Sequence, residues 1–250
     1  MINIIPIPAF EDNYIWLLQQ GRNVVVVDPG DAAPVLAALQ KNDWHLTAIL
    51  ITHHHHDHIG GVQALLAHTN VPVYAPGYRT YPFPHTPVKE GDTVHLTDIS
   101  QTFEVLWLPG HTLDHIAYVN NVYLFCGDVL FGAGCGRLFE GTPTQMLHSL
   151  DRIKQLPSET QVFCTHEYTL KNIQFARTLE PFNAALQVRE SNTILQRQQN
   201  IATLPTTIAA EMATNPFLRC NEGEIRQTLA MQSQSEIDIF TRIRQLRNHY

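Results

Sequence analysis

The sequence predicts an α/β fold, two β-sheets sandwiched by helices, followed by a smaller region that is all helical. Three observations carry this expectation. Short apolar runs of strand length alternate with helical patterns as far as His166. Polar residues with metal-binding side chains stand directly after several of those runs. Beyond His166 the strand-like runs give way to 3.6-residue periodicity.

Taken in order, residues 2–7, 14–18 and 24–27 read as strands. The third ends in Asp28-Pro29-Gly30-Asp31, a turn signal, and a helix is expected over about 34–39 with Pro34 in its first turn. A strand over 48–51 runs into Thr52 and a histidine-rich loop, and a helix then covers about 60–68. Further strands are expected at 71–74, 93–96, 103–108, 116–119, 122–126 and 161–164. Between the last two, Thr142 reads as an N-cap and Pro143 as the first residue of a helix. After His166, helices are expected over 168–179, broken by Glu180-Pro181, then over 184–199 and 235–247. In the last of these Ile239, Ile243 and Leu246 form an apolar stripe at helical spacing. The texture change divides the chain into an α/β domain, residues 1–169, and a helical domain, residues 170–250.

A chain of 250 residues with 44% hydrophobic content can build one large core and a smaller attached domain. The net charge of −7 argues against a general polyanion-binding surface, so no nucleic-acid partner is expected. No apolar run approaches the roughly 20 residues that cross a bilayer, and the N-terminus lacks the basic and apolar stretches of a signal peptide. The four cysteines show no CxxC pairing and fit a reducing compartment. A monomeric cytoplasmic protein is the expectation.

The chemistry begins at Thr52-His53-His54-His55-His56-Asp57-His58, which contains the pattern His-x-His-x-Asp-His. From a short extended turn, His53 and His55 can point the same way, and Asp57 and His58 can turn toward a second ion. Three more such residues follow strand-like runs: His111 after 103–108, Asp128 after 122–126 and His166 after 161–164. A lone histidine at a strand end is usually structural. Three such residues beside the histidine loop point instead to a shared site. The ligand count divides evenly. His53, His55 and His111 would serve one divalent ion, and Asp57, His58 and His166 the other. The Asp128 carboxylate would bridge them, at the roughly 3.5–4 Å spacing of two-metal hydrolytic sites. Two ions per chain are therefore expected. Imidazole and carboxylate donors suit zinc, the first choice, and also iron and manganese. A water or hydroxide between the ions, its pKa lowered toward about 7, would be the nucleophile. Asp57 and Asp128 are the protein's catalytic side chains in this scheme. His54 and His56 fall at the x positions and are read as packing or supporting residues.

Thr52 to Gly61 resembles the signature of the metallo-β-lactamase superfamily. Pro109-Gly110-His111-Thr112, Gly127-Asp128 and Thr165-His166-Glu167 resemble its later ligand motifs in the same order. Within that superfamily the chain is most similar to the hydroxyacylglutathione hydrolases, the glyoxalase II family. Four stretches carry the similarity: residues 7–14 (IPAFEDNY), the histidine loop, residues 134–141 (GCGRLFEG) and residues 165–169 (THEYT). The resemblance spans nearly the whole chain. It implies a four-layer αββα sandwich with a small C-terminal helical domain, and hydrolysis of S-D-lactoylglutathione to glutathione and D-lactate in methylglyoxal detoxification. It further implies that Arg137, Tyr168, Arg244 and Arg247 bind the substrate. Glutathione carries two carboxylates, which arginine pairs through a planar fork, and Arg244 and Arg247 share one helix face.

Two positions depart from the family pattern. Phe139 stands where some members have a tyrosine, and Asp114 replaces an expected glycine before His115. Cys135 is read as a small buried turn residue rather than a thiol nucleophile. The rival readings are another superfamily hydrolase (a lactonase or β-lactamase), a persulfide dioxygenase-like enzyme with one iron, and a non-catalytic metal buffer.

Overall fold

A computed structural model of the chain describes residues 2–250. The described chain forms two compact units: residues 2–107, 114–120 and 124–127 in the first, residues 108–113, 121–123 and 128–250 in the second.

The first unit opens with two antiparallel hairpins, β1 (Asn3–Ala9), β2 (Asn13–Gln20) and β3 (Asn23–Val27). Helix α1 (Ala32–Asn42) then leads to β4 (His45–Leu50), which lies parallel to β3. The short helices α2 (His56–Ile59) and α3 (Val62–His68) precede β5 (Val73–Pro76) and β6 (Thr86–Val88), which complete a sheet in sequence order. Strands β7 (Thr93–Leu96), β8 (Gln101–Trp107), β9 (Ile116–Val119) and β10 (Tyr123–Gly127) form an antiparallel ladder. On β8, Phe103 and Val105 are buried while Thr102 and Glu104 are exposed, the period-two pattern of a strand with one covered face. The two sheets meet through Tyr118 of β9, whose buried hydroxyl lies 3.0 Å from both Ile51 O and Tyr74 O. Val35 of α1 and Leu65 of α3 pack into one core with Ile15, Val24, Val26 and Ile49.

The second unit contains the two-residue hairpin β11 (Leu130–Phe131) and β12 (Gly134–Cys135), helix α4 (Pro143–Lys154) and β13 (Gln161–Cys164). Helices α5 (Thr169–Leu179) and α6 (Ala184–Gln198) follow. Then come β14 (Thr206–Thr207), α7 (Ile208–Thr214), α8 (Gly223–Thr228) and α9 (Glu236–Asn248). Thr142 caps α4 through a reciprocal box with Gln145, as its place before Pro143 predicts, and Ser235 and Asp238 cap α9 in the same way.

The structure adds detail that the sequence pattern does not carry. Helix α1 begins at Ala32, because the Asp31 side chain caps it, and extends to Asn42. The histidine loop is not wholly irregular: His55 is the extended N-cap of the single turn α2, and Gly60 and Gly61 separate that turn from α3. The elements β6, β11, β12, β14, α7 and α8 are two to seven residues long, too short for periodicity to declare them.

Candidate metal centre

In the first unit, β3 and β4 run parallel with Val27 opposite Leu50, so the chain segments that follow them emerge side by side. Asp28 sits there with φ 51°, buried, and its carboxylate accepts from Thr52 N at 2.8 Å and from Thr52 Oγ1 at 2.7 Å. His58 Nδ1 lies 2.9 Å from the same carboxylate, and a carboxylate only accepts. His58 therefore holds its proton on Nδ1 and presents a lone pair at Nε2. His53 is fixed by related logic. The Thr52 hydroxyl is spent on Asp28, so His53 Nδ1, 3.1 Å away, donates to it and Nε2 keeps the lone pair. The buried His53 ring also stacks on buried His115, centroids 4.6 Å apart at 19°.

These anchors gather the loop's candidate ligands. Ring nitrogens of His53 and His55, and of His53 and His58, lie within 4.8 Å of each other, as do ligand atoms of Asp57 and His58. Asp57 is steadied by Asn13, whose Nδ2 donates to Oδ2 at 3.0 Å. Gly30 cannot carry a side chain, because a Cβ there would stand 1.9 Å from the Asp57 carbonyl oxygen. His54 and His56 diverge from their neighbours. His56 is exposed, while His54 Nδ1 lies 2.9 Å from Oδ1 of Asp114. Asp114, the residue in place of the expected glycine, is itself buried and accepts from the Tyr81 hydroxyl at 2.7 Å. That phenol is held far above its ordinary pKa by burial first and by the Asp114 charge second, so it remains a donor.

In the second unit, Asp128 directly follows β10, His166 follows β13 after Thr165, and His111 lies in residues 108–113. One carboxylate oxygen, Asp128 Oδ2, stands 3.4 Å from His111 Nε2 and 3.3 Å from His166 Nε2. His111 Nδ1 donates to the Arg137 carbonyl at 2.7 Å, which leaves a lone pair on the Nε2 that faces Asp128. A carboxylate oxygen facing a neutral imidazole's lone pair is repulsive unless a proton or a metal ion lies between them. The donor set thus fits a divalent ion. Having only nitrogen and oxygen donors, it fits zinc, iron or manganese. His166 stacks flat on Tyr168, centroids 4.7 Å apart at 4°.

The remaining expected site residues also lie in this unit. Arg137 is exposed and Arg247 half-buried, while Arg244 is buried. Burial, then the charges of Arg244 and Arg137, lower the pKa of Arg247, so Arg247 lies within the field of both other guanidinium groups. A concentration of positive charge of this kind favours an anionic ligand. Phe139 is exposed and sets its ring edge-on to His111 at 5.3 Å. Burial pushes the Cys135 thiol up against the opposing influence of Arg244, which disfavours a thiolate nucleophile. The sequence reading missed Asp28 and Asn13. Asp28 had an available signal, since an acidic residue directly after an apolar strand is also what marks Asp128. Asn13 had only its place in the family-like stretch at residues 7–14.

Fold and donor set together define a metallo-β-lactamase-type protein, and the metallo-β-lactamase superfamily model matches residues 10–166. Among solved structures, ETHE1 from Myxococcus xanthus superposes with a TM-score of 0.67 at 25% identity, covering 96% of this chain and 95% of that one. The BLEG-1 B3 metallo-β-lactamase does so with a TM-score of 0.61 at 27% identity, covering 87% and 99%. Residues 167–250 match the model of the hydroxyacylglutathione hydrolase C-terminus. The chain is 50% identical to the hydroxyacylglutathione hydrolase of Methylobacillus flagellatus over 250 residues, all of both chains. It is 46% identical to that of Nitrosomonas europaea over 254 residues, 100% of this chain and 97% of that one. The chain belongs to the hydroxyacylglutathione hydrolase family.

Proposed function

We infer that this protein is a thiolester hydrolase that cleaves S-D-lactoylglutathione to glutathione and D-lactate. The observation that carries the reading is full-length similarity to hydroxyacylglutathione hydrolases combined with the donor set around Asp128. We assign His53, His55 and His111 to one divalent ion and Asp57, His58 and His166 to a second, with Asp128 as the shared ligand. When bound, two such ions polarise the thioester carbonyl and lower the pKa of water toward about 7, supplying electrophile and nucleophile at neutral pH.

The protein's own groups do the rest. Asp28 and the Arg137 carbonyl fix the tautomers of His58 and His111, so that each presents a lone pair at Nε2. Asn13 keeps Asp57 oriented, and Asp57 can accept the proton released by the attacking water. Arg137, Arg247 and Tyr168, with Arg244 behind them, are assigned to the glutathione moiety, whose two carboxylates suit this basic cluster. The leaving group is a thiolate with a conjugate-acid pKa of about 8.5, so no side chain need protonate it in the bond-breaking step. Zinc is the first choice of metal, and a cytoplasmic monomer is the working assumption. Among the described residues no helix is long and apolar enough to cross a membrane.

The test is thiol release from S-D-lactoylglutathione, followed with a chromogenic disulfide, together with metal analysis of the same sample. The reading expects steady thiol release and two ions per chain. A metal-loaded protein that releases no thiol refutes it. One iron per chain with oxygen uptake from a persulfide would replace it with the dioxygenase alternative.

A further inference from the structure

Arg244 and Arg247 lie one turn apart on α9, yet their surroundings differ. Arg247 is half-buried and donates from Nε to Asn172 Oδ1 at 3.1 Å. Arg244 is only 7% exposed, and its guanidinium lies over the Phe217 ring, 5.1 Å from the centroid. Its Nη1 donates to the Cys135 carbonyl at 2.6 Å and reaches the Gly136 carbonyl at 3.4 Å, while Nε donates to Asn248 Oδ1 at 3.2 Å. A guanidinium that serves two consecutive carbonyls fixes the path of the backbone there.

That stretch of backbone leans on two of the assigned ligands. Cys135 pairs with Leu130 across the β11–β12 hairpin, and Gly136 N donates back to Val129 O at 3.2 Å. Gly136 is pressed so close that a Cβ would stand 1.9 Å from the Asp128 carbonyl oxygen and 3.1 Å from His111 Nδ1. The next residue, Arg137, supplies the carbonyl that holds His111 Nδ1 at 2.7 Å. A continuous line of contacts therefore runs from α9 through Arg244 and residues 135–137 to His111 and Asp128.

We propose that Arg244 is a positioning residue for the metal centre: by clamping the carbonyls of Cys135 and Gly136 it holds the Arg137 carbonyl against His111 and the Gly136 backbone against Asp128. The proposal rests on the assignment of His111 and Asp128 as ligands. It gives the C-terminal helix a role in metal binding that exists without any substrate. Lysine would keep the charge but lose the flat guanidinium that rests over Phe217 and the Nε donor to Asn248, which together aim Nη1 at the two carbonyls. Loss of a partner that orients a ligand weakens metal binding by about 10–100-fold.

The experiment uses full-length protein stripped of metal, without substrate. Wild type, R244A, R244K, R247A and H111A are titrated with zinc against a chromogenic chelator, and with Co2+ to read its visible spectrum. R244A should bind zinc about 10–100-fold more weakly and show an altered Co2+ spectrum, with R244K also impaired and R247A like wild type. Wild-type affinity and spectrum in R244A overturn the proposal and leave Arg244 a substrate contact. Should R244A lose its near-UV circular dichroism, R244K decides: weaker zinc binding in a folded protein supports the role, and unchanged binding overturns it. H111A tests the underlying assignment separately, because unchanged zinc affinity there removes His111 from the ligand set and the proposal with it.

Discussion

Asp28 is predicted to control metal binding without touching the metal, and asparagine is the informative replacement. The wild-type carboxylate faces three donors: Thr52 N, Thr52 Oγ1 and His58 Nδ1, at 2.8, 2.7 and 2.9 Å. An asparagine that keeps its oxygen toward Thr52 N must turn its amide NH2 toward the other two. The threonine hydroxyl can adapt, since it accepts as well as donates. His58 can adapt only by moving its proton to Nε2, which removes the lone pair offered to the metal. Asp28→Asn should therefore remain folded yet bind metal about 10–100-fold more weakly. Asp28→Ala differs in kind. Three buried donors lose their acceptor at about 1–3 kcal/mol each, and because they share one site the sum falls short of additive. A loss of about 3–5 kcal/mol follows, measurable as a shift in the urea midpoint. Zinc affinity is read by chelator competition on both variants. An Asp28→Asn protein with wild-type zinc affinity would show that Asp28 does not set the His58 tautomer.

Three further outcomes are expected. Asp128→Ala removes the one carboxylate oxygen near both His111 and His166, so it should lose bound metal and turnover together; full metal content with normal activity would dismiss the bridging role. Asp114→Ala strands the buried Tyr81 hydroxyl and should cost about 1–3 kcal/mol in chemical denaturation, whereas Asp114→Asn, still able to accept from Tyr81, should cost less. Equal losses in the two would dismiss the Tyr81 bond as the cause. Arg247→Ala should raise KM by about tenfold with kcat little changed, the signature of lost ground-state binding; a fall in kcat at constant KM would place Arg247 in the chemistry instead.

Much of this architecture is written in local patterns. The apolar run at residues 24–27 in β3 and the alternation along β8 announce strands, and Thr142-Pro143 announces α4. The candidate ligands are legible because each follows an apolar run that fixes where it emerges, as Asp128 does after β10 and His166 after β13. What could not be read depends on pairings between distant segments. Nothing local connects Asn13 to Asp57 or Tyr81 to Asp114; those contacts exist because separate strands and loops fold against one another. The Asp114 carboxylate, whose orientation the sequence leaves open, turns toward His54 and Tyr81. In the sequence Asp28 is hidden by its neighbours Pro29 and Gly30, which make the whole segment read as a turn.

The two arginines of α9 mark the boundary between what a motif conveys and what packing decides. At i and i+3 they share a helix face, and their expected role was the same, a pair of cations for a two-carboxylate ligand. Packing separates them. The 135–137 turn and Phe217 close over Arg244, so its Nη1 meets backbone carbonyls, whereas Arg247 stays half-buried and donates to Asn172. A cation that contacts only substrate leaves the empty enzyme's metal affinity intact when it is removed. A cation that also braces the turn behind His111 and Asp128 does not. On the proposed roles, substitutions at the two arginines of α9 should divide by burial: loss of half-buried Arg247 alters KM, and loss of buried Arg244 alters metal affinity before any substrate binds.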